Sequence, residues 1–253
     1  MLSRQKQNRI MAGIIMVLSF AGVLHAGQVL TVADFSRADV DKTLPQYWEA
    51  LTFKKITAHT IYEAVKDQGR TVIKAQSHAS ASGLIRKIRI DLKKYPVIQW
   101  QWKVTGIYKK GDVTSKSGDD YPARIYVAFE YDPGKVGVWE KAKFGTIRLI
   151  YGQYPPSSSV TYIWANHAPI GTRISNPYTK RVMMIAVQSG VNKVGTWVTE
   201  ERNIYQDYVD SFGHAPPMTS GVAIMTDSDN TGEAATAFYG DIIFKSSPGA
   251  RMP

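Results

Sequence analysis

The segment Val97–Val104, VIQWQWKV, alternates apolar and polar side chains along its length. One face carries two glutamines and a lysine, and the other carries the apolar residues Ile98, Trp100, Trp102 and Val104. A repeat of two residues is typical of a β-strand with one buried face. The segment therefore predicts a strand in a sheet that packs on a tryptophan-rich core.

Similar segments along the chain predict a mostly β fold. Arg124–Tyr131, RIYVAFEY, has the same repeat. Turn-forming residues separate these runs, and many short strands of this kind favour a sandwich or a barrel. No stretch is typical of an interdomain linker, so we expect a single domain over residues 27–253. Further candidate strands are Thr71–Gln76, Leu84–Leu92, Thr146–Tyr151, Val160–Ala165, Val182–Gln188, Gly221–Thr226 and Ala237–Phe244.

One segment has helical character instead. Glu200–Phe212 follows Thr199, a favoured N-cap residue, and precedes Gly213, a favoured residue after a helix. Its apolar side chains recur at helical spacing, so the pattern predicts one helix near residues 200–212, packed against an edge or an end of the sheets. Glu201 falls on the apolar face of that helix, where a carboxylate needs a partner.

The first 26 residues have the three parts of a secretory signal. Arg4, Lys6 and Arg9 precede the uncharged run Ile10–Leu24, and a plausible cleavage site follows Ala26. The run is short for a membrane span, which needs about 20 apolar residues; a retained anchor is the alternative. No second such run follows. We therefore expect export to the periplasm or beyond, and no transmembrane span after cleavage.

Composition narrows the chemistry and the partners. The chain has 253 residues, no cysteine and a formal net charge of +10. Disulfides and thiolate sites are excluded. The lysines are scattered, so the charge predicts solubility and no nucleic-acid partner. Nucleophile-elbow, P-loop and dinucleotide motifs are absent from the sequence, and the histidines have no zinc spacing.

The densest polar stretch is Asp227–Gly232, DSDNTG. Oxygen side chains at its first, third and fifth positions, Asp227, Asp229 and Thr231, followed by glycine, match the first half of a calcium-binding loop. Phe238 stands where the bidentate glutamate of such a loop belongs. The stretch predicts either a calcium site or a turn in which the side chains bond the backbone.

Two other polar groups could carry chemistry. Asp119 and Asp120 precede Arg124, which suits a sugar or metal site but also a loop held by one salt bridge. Glu201 with Asp119, Asp120 or Asp227 would supply the two carboxylates that glycoside hydrolysis requires. The candidate catalytic residues are thus Glu201, Asp119 and Asp120.

Aromatic side chains could stack on sugar rings. Trp100 and Trp102 are expected in the core, whereas Trp139, Tyr151, Tyr154, Tyr162 and Trp164 lie in or beside predicted loops. The candidate ligand-binding residues are Asp119, Asp120, Arg124, Tyr126, Trp164, Asn176, Glu201, Arg202 and Asp207.

Several stretches together resemble the bacterial family named domain of unknown function 3047. They are SASGLIRKIRIDLKKYPVIQWQWKV, GDDYPARIYVAFEYDP, YIWANHAPIGTRISNPYT, GTWVTEERNIYQDYVDSFGHAPP and GVAIMTDSDNTGEAATAFYGDIIF. The resemblance implies an exported, all-β, two-sheet antiparallel sandwich, jelly-roll-like and similar in outline to galactose-binding and concanavalin-like modules. It also implies recurrent polar positions at Asp119, Asp120, Arg124, Glu201, Arg202, Asn203, Asp207, Asp227, Asp229, Asn230 and Asp241.

Three functions are compatible with these observations. The first is a binding protein for polysaccharide or another cell-envelope glycan. The second is a glycan-cleaving enzyme that uses Glu201 with one of the aspartates. The third is an envelope structural protein in which the polar clusters are buried networks.

Overall fold

The computed structural model describes residues 27–40, 44–131 and 157–246. The predicted signal segment lies outside the described residues. So do the predicted strand Thr146–Tyr151 and the predicted sugar-binding aromatics Trp139, Tyr151 and Tyr154.

The described residues form mainly strands, as the repeat of two predicts. Five of the observed strands match the sequence prediction within two residues at each end, whereas the strand predicted over Leu84–Leu92 ends at Arg86. The strands are β1 Val29–Ala33, β2 Glu49–Leu51, β3 Ile61–Asp67, β4 Arg70–His78, β5 Ala81–Arg86, β6 Val97–Val104, β7 Arg124–Phe129, β8 Ser158–Ala165, β9 Arg173–Asn176, β10 Thr179–Ser189, β11 Val198–Asn203, β12 Thr219–Asp227 and β13 Ala234–Lys245.

The strands pair into two sheets. Sheet A has the order β11-β6-β13-β4-β3, with β1 also paired to β13, and sheet B has the order β2-β5-β12-β7-β8-β10-β9. The described pairs are antiparallel except that β8 and β10 run parallel. The predicted all-β sandwich is confirmed, with this parallel pair as its departure from a fully antiparallel arrangement.

Aromatic residues from both sheets fill the space between them. Trp100 of sheet A stacks on Tyr162 of sheet B, with ring centroids 4.9 Å apart, and Trp102 lies 5.9 Å from Trp164. All four rings are buried. Tyr162 and Trp164 were predicted to lie in or beside loops, available to a sugar; this is wrong, because both lie in β8, where the repeat of two points their rings into the core.

The helix begins later than the sequence predicts. Helix α1 spans Ile204–Phe212, because residues 198–203 continue as β11 and pair with β6. Asn203, not Thr199, caps the helix by accepting a hydrogen bond from the amide of Gln206. Gly213 ends it in the left-handed conformation, at φ 76°, as predicted. Within the described residues, α1 is far too short to be a membrane span, and no longer apolar helix occurs there.

The long connection between β6 and β7 covers part of the outer face of sheet B. Val113 and Tyr121 from this connection pack on Ile163, Met184 and Ala186 of sheet B in a small second core. The connection thereby brings residues 119 and 120 onto the sheet, beside the start of β7 and the end of β12.

Candidate functional site

Polar residues gather where this connection meets the outer face of sheet B. Asp119 and Asp120 end the connection, Arg124 begins β7, and Asp227 ends β12. Ile125, next to Arg124, lies in the core, and Thr226, next to Asp227, forms a hydrogen bond with the hydroxyl of the core residue Tyr239. Because side chains alternate along a strand, Arg124 and Asp227 point outward. With Asp229 from the loop after β12, they form what we call the acidic cluster: Asp119, Asp120, Arg124, Asp227 and Asp229.

Arg124 lies at the centre of the acidic cluster and is almost fully buried. Its guanidinium forms a bidentate ion pair with the carboxylate of Asp227, in which Nε donates to Oδ1 at 2.8 Å and Nη2 donates to Oδ2. Nη2 also donates to the carbonyl oxygen of Asp119, and Nη1 donates to the Tyr126 hydroxyl at 3.1 Å. Nη1 lies 3.5 Å from Oδ1 of Asp119. One cation therefore serves two carboxylates.

Asp120 connects the two loops of the cluster. Its Oδ2 accepts a hydrogen bond from the amide of Thr231 at 2.6 Å, and its Oδ1 accepts one from Nδ2 of Asn230 at 3.0 Å. Asn166 fixes the connection between β6 and β7 at two points: its Nδ2 donates a hydrogen bond to the carbonyl of Asp120, and its Oδ1 accepts one from the amide of Tyr108. Gly111 permits this packing, because a Cβ there would lie 1.9 Å from Nδ2 of Asn166.

Negative charge exceeds positive charge in the acidic cluster. Asp119, Asp120 and Asp227 are 5, 0 and 2 % exposed, and Asp229 is half-buried. Burial raises the pKa of Asp227 to about 8; Arg124 opposes this increase, whereas Asp120 adds to it. Burial and the charge of Asp120 also raise the pKa of Asp229. One guanidinium among four carboxylates leaves the site in need of protons or of a further cation.

Three buried polar atoms beside the cluster accept or donate no hydrogen bond among the described residues. They are Oδ1 of Asp119 and the hydroxyls of Tyr108 and Tyr121. Burial raises the pKa of Tyr108, and so do the charges of Asp227 and Asp120, while the ring of Tyr121 lies 4.3 Å from the guanidinium carbon of Arg124. Buried polar groups are nearly always paired, so these atoms are candidates to bind a water molecule or another ligand.

Carboxylate oxygens of Asp120, Asp227 and Asp229 all lie within 4.8 Å of one another. The sequence predicted Asp227, Asp229 and Thr231 as metal ligands from their spacing in one loop. The fold adds Asp120 from a second loop, while Thr231 donates its amide to Asp120 and accepts a hydrogen bond from the amide of Glu233 on its hydroxyl.

An open rim lies beside the buried part of the cluster. Tyr178, in the turn between β9 and β10, is 56 % exposed. Its hydroxyl donates to Oδ1 of Asn230 at 2.7 Å and to the carbonyl of Lys116 at 3.2 Å. Asn176 donates to Oδ2 of Asp119 at 2.6 Å, and Nζ of Lys116 lies 5.3 Å from the centre of the Tyr178 ring. The rim thus combines an aromatic face with amide and carboxylate groups.

Arg202 and Asp207 belong to a different network, at the junction of β11, α1 and sheet B. The carboxylate of Asp207 accepts hydrogen bonds from Arg202, Arg173 and the hydroxyl of Tyr162. Burial opposes its ionisation, but the hydrogen bonds from Arg202 and Tyr162 outweigh burial and lower the pKa of Asp207. This network, which we call the Asp207 network, has enough cations for its buried carboxylate and fixes the helix to the sandwich.

Glu201 lies apart from both groups. It is exposed on β11, on the outer side of sheet A, and its Oε2 accepts a hydrogen bond from Nζ of Lys245 at 2.9 Å. Its predicted place on the apolar face of a helix is wrong, because residue 201 is in a strand. The acidic cluster lies outside sheet B, so the structure does not bring Glu201 together with Asp119, Asp120 or Asp227 as a pair of carboxylates.

A pocket of about 450 Å³ lies elsewhere, between the N-terminal segment and the end of β5. Tyr47, Trp48, Asp34 and Arg86 are among the residues that line it. Tyr47 is 67 % exposed, and the guanidinium of Arg86 lies 5.1 Å from the centre of its ring. The pocket provides a second exposed tyrosine beside a cation, against which Tyr178 can be compared.

Sequence reasoning named all five residues of the acidic cluster but missed three of its neighbours. Tyr108 and Tyr121 have no distinctive spacing, and only the packing of the connection reveals their buried hydroxyls. Tyr178 follows the predicted Asn176 in the polar turn Asn176-Pro177-Tyr178. An aromatic residue in a polar turn is a signal that could have identified it.

The fold and the cluster define a β-sandwich protein with a carboxylate-rich site outside one sheet. The chain belongs to the family described as protein of unknown function, DUF3047, which it matches over residues 46–243. This confirms the resemblance inferred from the motifs. No curated protein matches the chain.

Several solved structures are similar to this chain at low sequence identity. The carbohydrate recognition domain of Emp47p is 12 % identical, with a TM-score of 0.41 and coverage of 86 % of this chain and 97 % of that one. The xylan-binding domain CBM22-1 of Xyn10C from Paenibacillus barcinonensis is 13 % identical, with a TM-score of 0.35 and coverage of 88 % and 97 %. The glycoside hydrolase domain Spr0440, Endo-D, of Streptococcus pneumoniae R6 is 12 % identical, with a TM-score of 0.31. The match covers 81 % of this chain but only 22 % of that one.

Proposed function

We propose that this chain is an exported glycan-binding protein of the cell envelope and that the rim of the acidic cluster is its binding site. The observation that carries the proposal is the exposed ring of Tyr178, which two hydrogen bonds from its hydroxyl hold beside Asn176, Asn230 and Asp119. The predicted signal segment, residues 1–26, supports export.

The chemistry of the rim suits a sugar. An aromatic face buries the apolar side of a pyranose ring, while carboxylates and amides accept and donate to its hydroxyls. Tyr178 is already fixed by its hydroxyl, so little conformational entropy would be lost when a sugar stacks on it. Half-buried Asp229 and Asn230 lie on the same side of the cluster and offer further oxygen and nitrogen atoms.

The charge of the rim favours a neutral glycan over an anionic one. Asp119, Asp120 and Asp229 add negative charge, and a second negative charge at the same site would be repelled. We therefore expect polysaccharides without carboxyl or sulfate groups to bind, although the chain as a whole is basic.

Calorimetric titration of the purified protein with a panel of neutral and anionic polysaccharide fragments tests the proposal. We expect at least one neutral fragment to bind, and Tyr178→Ala to weaken that binding roughly tenfold, the equivalent of about 1.4 kcal/mol for a stacked ring. Tyr47→Ala is the matched control, because it removes another exposed tyrosine that lies beside a cation. The proposal is wrong if Tyr47→Ala removes binding and Tyr178→Ala does not, or if no fragment of the panel binds.

A further inference from the structure

We propose that the acidic cluster holds a divalent metal cation between Asp120, Asp227 and Asp229, and that this ion fixes the loop that presents the glycan-binding rim. The second half of this statement rests on the proposed function, whereas the first half stands on the cluster alone.

The first argument is charge. Three carboxylates in this cluster are at least 95 % buried, and Arg124 is the one cation buried with them among the described residues. Leaving a carboxylate buried without a counter-charge costs several kcal/mol. A divalent cation would neutralise this excess without removing the hydrogen bonds that Asp120 makes to residues 230 and 231.

The second argument is geometry. Oxygen ligands of one ion at about 2.4 Å lie at most about 4.8 Å apart. One carboxylate oxygen each from Asp120, Asp227 and Asp229 meets that limit for every pair. The three residues come from two separate segments, so the fold, rather than one flexible loop, brings them together.

The third argument comes from buried polar atoms that have no hydrogen-bond partner. Oδ1 of Asp119 is buried within the cluster and has no hydrogen-bond partner among the described residues, although Nη1 of Arg124 lies 3.5 Å away. The buried hydroxyls of Tyr108 and Tyr121 have no hydrogen-bond partner there either, and the Tyr121 ring lies 4.3 Å from the guanidinium carbon of Arg124. Water molecules that complete the coordination of an ion would supply these missing partners.

The ligand set indicates which ion fits. All donors are oxygen, and cysteine is absent from the chain. Hard cations such as calcium, magnesium and manganese prefer such donors. Arg124 donates hydrogen bonds to both oxygens of Asp227 and thereby restricts this carboxylate, whereas Asp229 is half-buried and its side chain can change position. Irregular geometry with some mobile ligands favours calcium, which tolerates 6–8 ligands, over magnesium, which demands an octahedron.

An ion at this place would act on the rim through one loop. Asp227 and Asp229 precede Asn230, whose side chain holds the hydroxyl of Tyr178. Gly232 then turns the chain with φ 71°, so that this loop returns to β13. Fixing Asp229 would therefore fix Asn230, and through it the ring on which a sugar would stack.

Thermal unfolding of the purified protein in EDTA and in increasing calcium tests the metal site without any glycan. We expect the midpoint to rise with calcium and to saturate, since a ligand that binds only the folded state stabilises it. Asp229→Asn should weaken calcium binding roughly tenfold or more, because ligand charge sets the affinity of such sites. Asp210→Asn, which removes a half-exposed carboxylate on α1, should leave calcium binding unchanged.

Terbium luminescence gives a second readout that does not depend on stability. Terbium replaces calcium at oxygen sites, and Tyr121, whose ring lies 4.3 Å from the guanidinium carbon of Arg124, is the nearby aromatic group that can sensitise it. We expect calcium to displace a saturable signal from the wild type and from Asp210→Asn, and Asp229→Asn to give little signal. Equal calcium responses in the two variants, or no response of the wild type in either assay, would overturn the metal site. Glycan binding that is the same in EDTA and in calcium would overturn only the link between the ion and the rim.

Discussion

The acidic cluster and the Asp207 network have the same kinds of residue but the opposite balance of charge. In the Asp207 network, Arg173 and Arg202 both bond one buried carboxylate, and Tyr162 donates a third hydrogen bond to it. In the acidic cluster, one buried arginine forms ion pairs with two carboxylates, those of Asp119 and Asp227. The first arrangement pairs its buried carboxylate with two cations, whereas the second has more buried carboxylates than buried cations among the described residues.

This difference appears in the direction of the pKa shifts. Hydrogen bonds outweigh burial and lower the pKa of Asp207, whereas burial and neighbouring carboxylates raise the pKa of Asp227 to about 8. A carboxylate with a lowered pKa is typical of a structural ion pair, and one with a raised pKa is typical of a functional site. Buried charge alone does not distinguish the two; the balance of charge does.

The largest expected effect comes from making the same substitution in both regions. Arg124→Met should destabilise the fold by about 3–5 kcal/mol, because it leaves buried carboxylates without a cation. Arg202→Met should cost about 1 kcal/mol, since its side chain is 38 % exposed and Arg173 still serves Asp207. Urea unfolding at pH 7 measures both free energies of unfolding. A similar cost for the two variants would contradict the comparison.

The two regions should also respond to pH in opposite directions. The pKa of Asp227 is raised in the folded state, so its contribution to stability is present at low pH and is lost as the pH rises from about 4 to about 8. The pKa of Asp207 is lowered in the folded state, so its contribution is present above the unfolded value and is lost as the pH falls through the folded one. Urea midpoints measured in EDTA at pH 3, 5 and 8 separate these effects.

Asparagine variants assign each part of that pH profile to its residue. Asp227→Asn should flatten the loss of stability between pH 5 and pH 8, and Asp207→Asn should flatten the loss below pH 4. Both variants retain the size and one carbonyl oxygen of the side chain, so packing changes little. If Asp227→Asn leaves the slope between pH 5 and pH 8 as steep as in the wild type, the raised pKa belongs to another group.

The smallest expected effect tests where β11 gives way to α1, beside the Asp207 network. Asn203→Ala should cost about 1 kcal/mol, because it removes the side chain that caps the helix. Thr199→Ala should cost less than about 0.5 kcal/mol, since residue 199 is exposed in a strand. Urea unfolding again gives both free energies. A larger cost for Thr199→Ala than for Asn203→Ala would indicate that the helix begins after Thr199, as the sequence predicts.

Much of the fold could be predicted from periodicity. Ile98, Trp100 and Trp102 recur every second residue, and that repeat alone places them in the core of a sandwich. The helix start was misplaced because Glu200–Asn203 is polar enough to suit a first helical turn, while pairing with β6 keeps it extended. Pairing between strands distant in sequence is not visible in local propensity.

The candidate site was predictable in its parts but not in its assembly. The sequence identified all five residues of the acidic cluster as candidates, Asp119, Asp120 and Arg124 for ligand binding and Asp227 and Asp229 for metal binding. Which of them converge depends on how the connection after β6 folds over sheet B, and that depends on packing around Val113 and Tyr121. Glu201 looked equally suited to the site, but the pairing of β11 with β6 places it outside sheet A.

The central claim is that the acidic cluster binds a cation, and anomalous diffraction from crystals soaked in manganese tests it most directly. We expect one anomalous peak between the carboxylates of Asp120, Asp227 and Asp229, about 2.2 Å from an oxygen of each, with water toward Tyr108. A cluster that contains only ordered water at saturating manganese, with Arg124 still the sole counter-charge among these residues, would contradict the account.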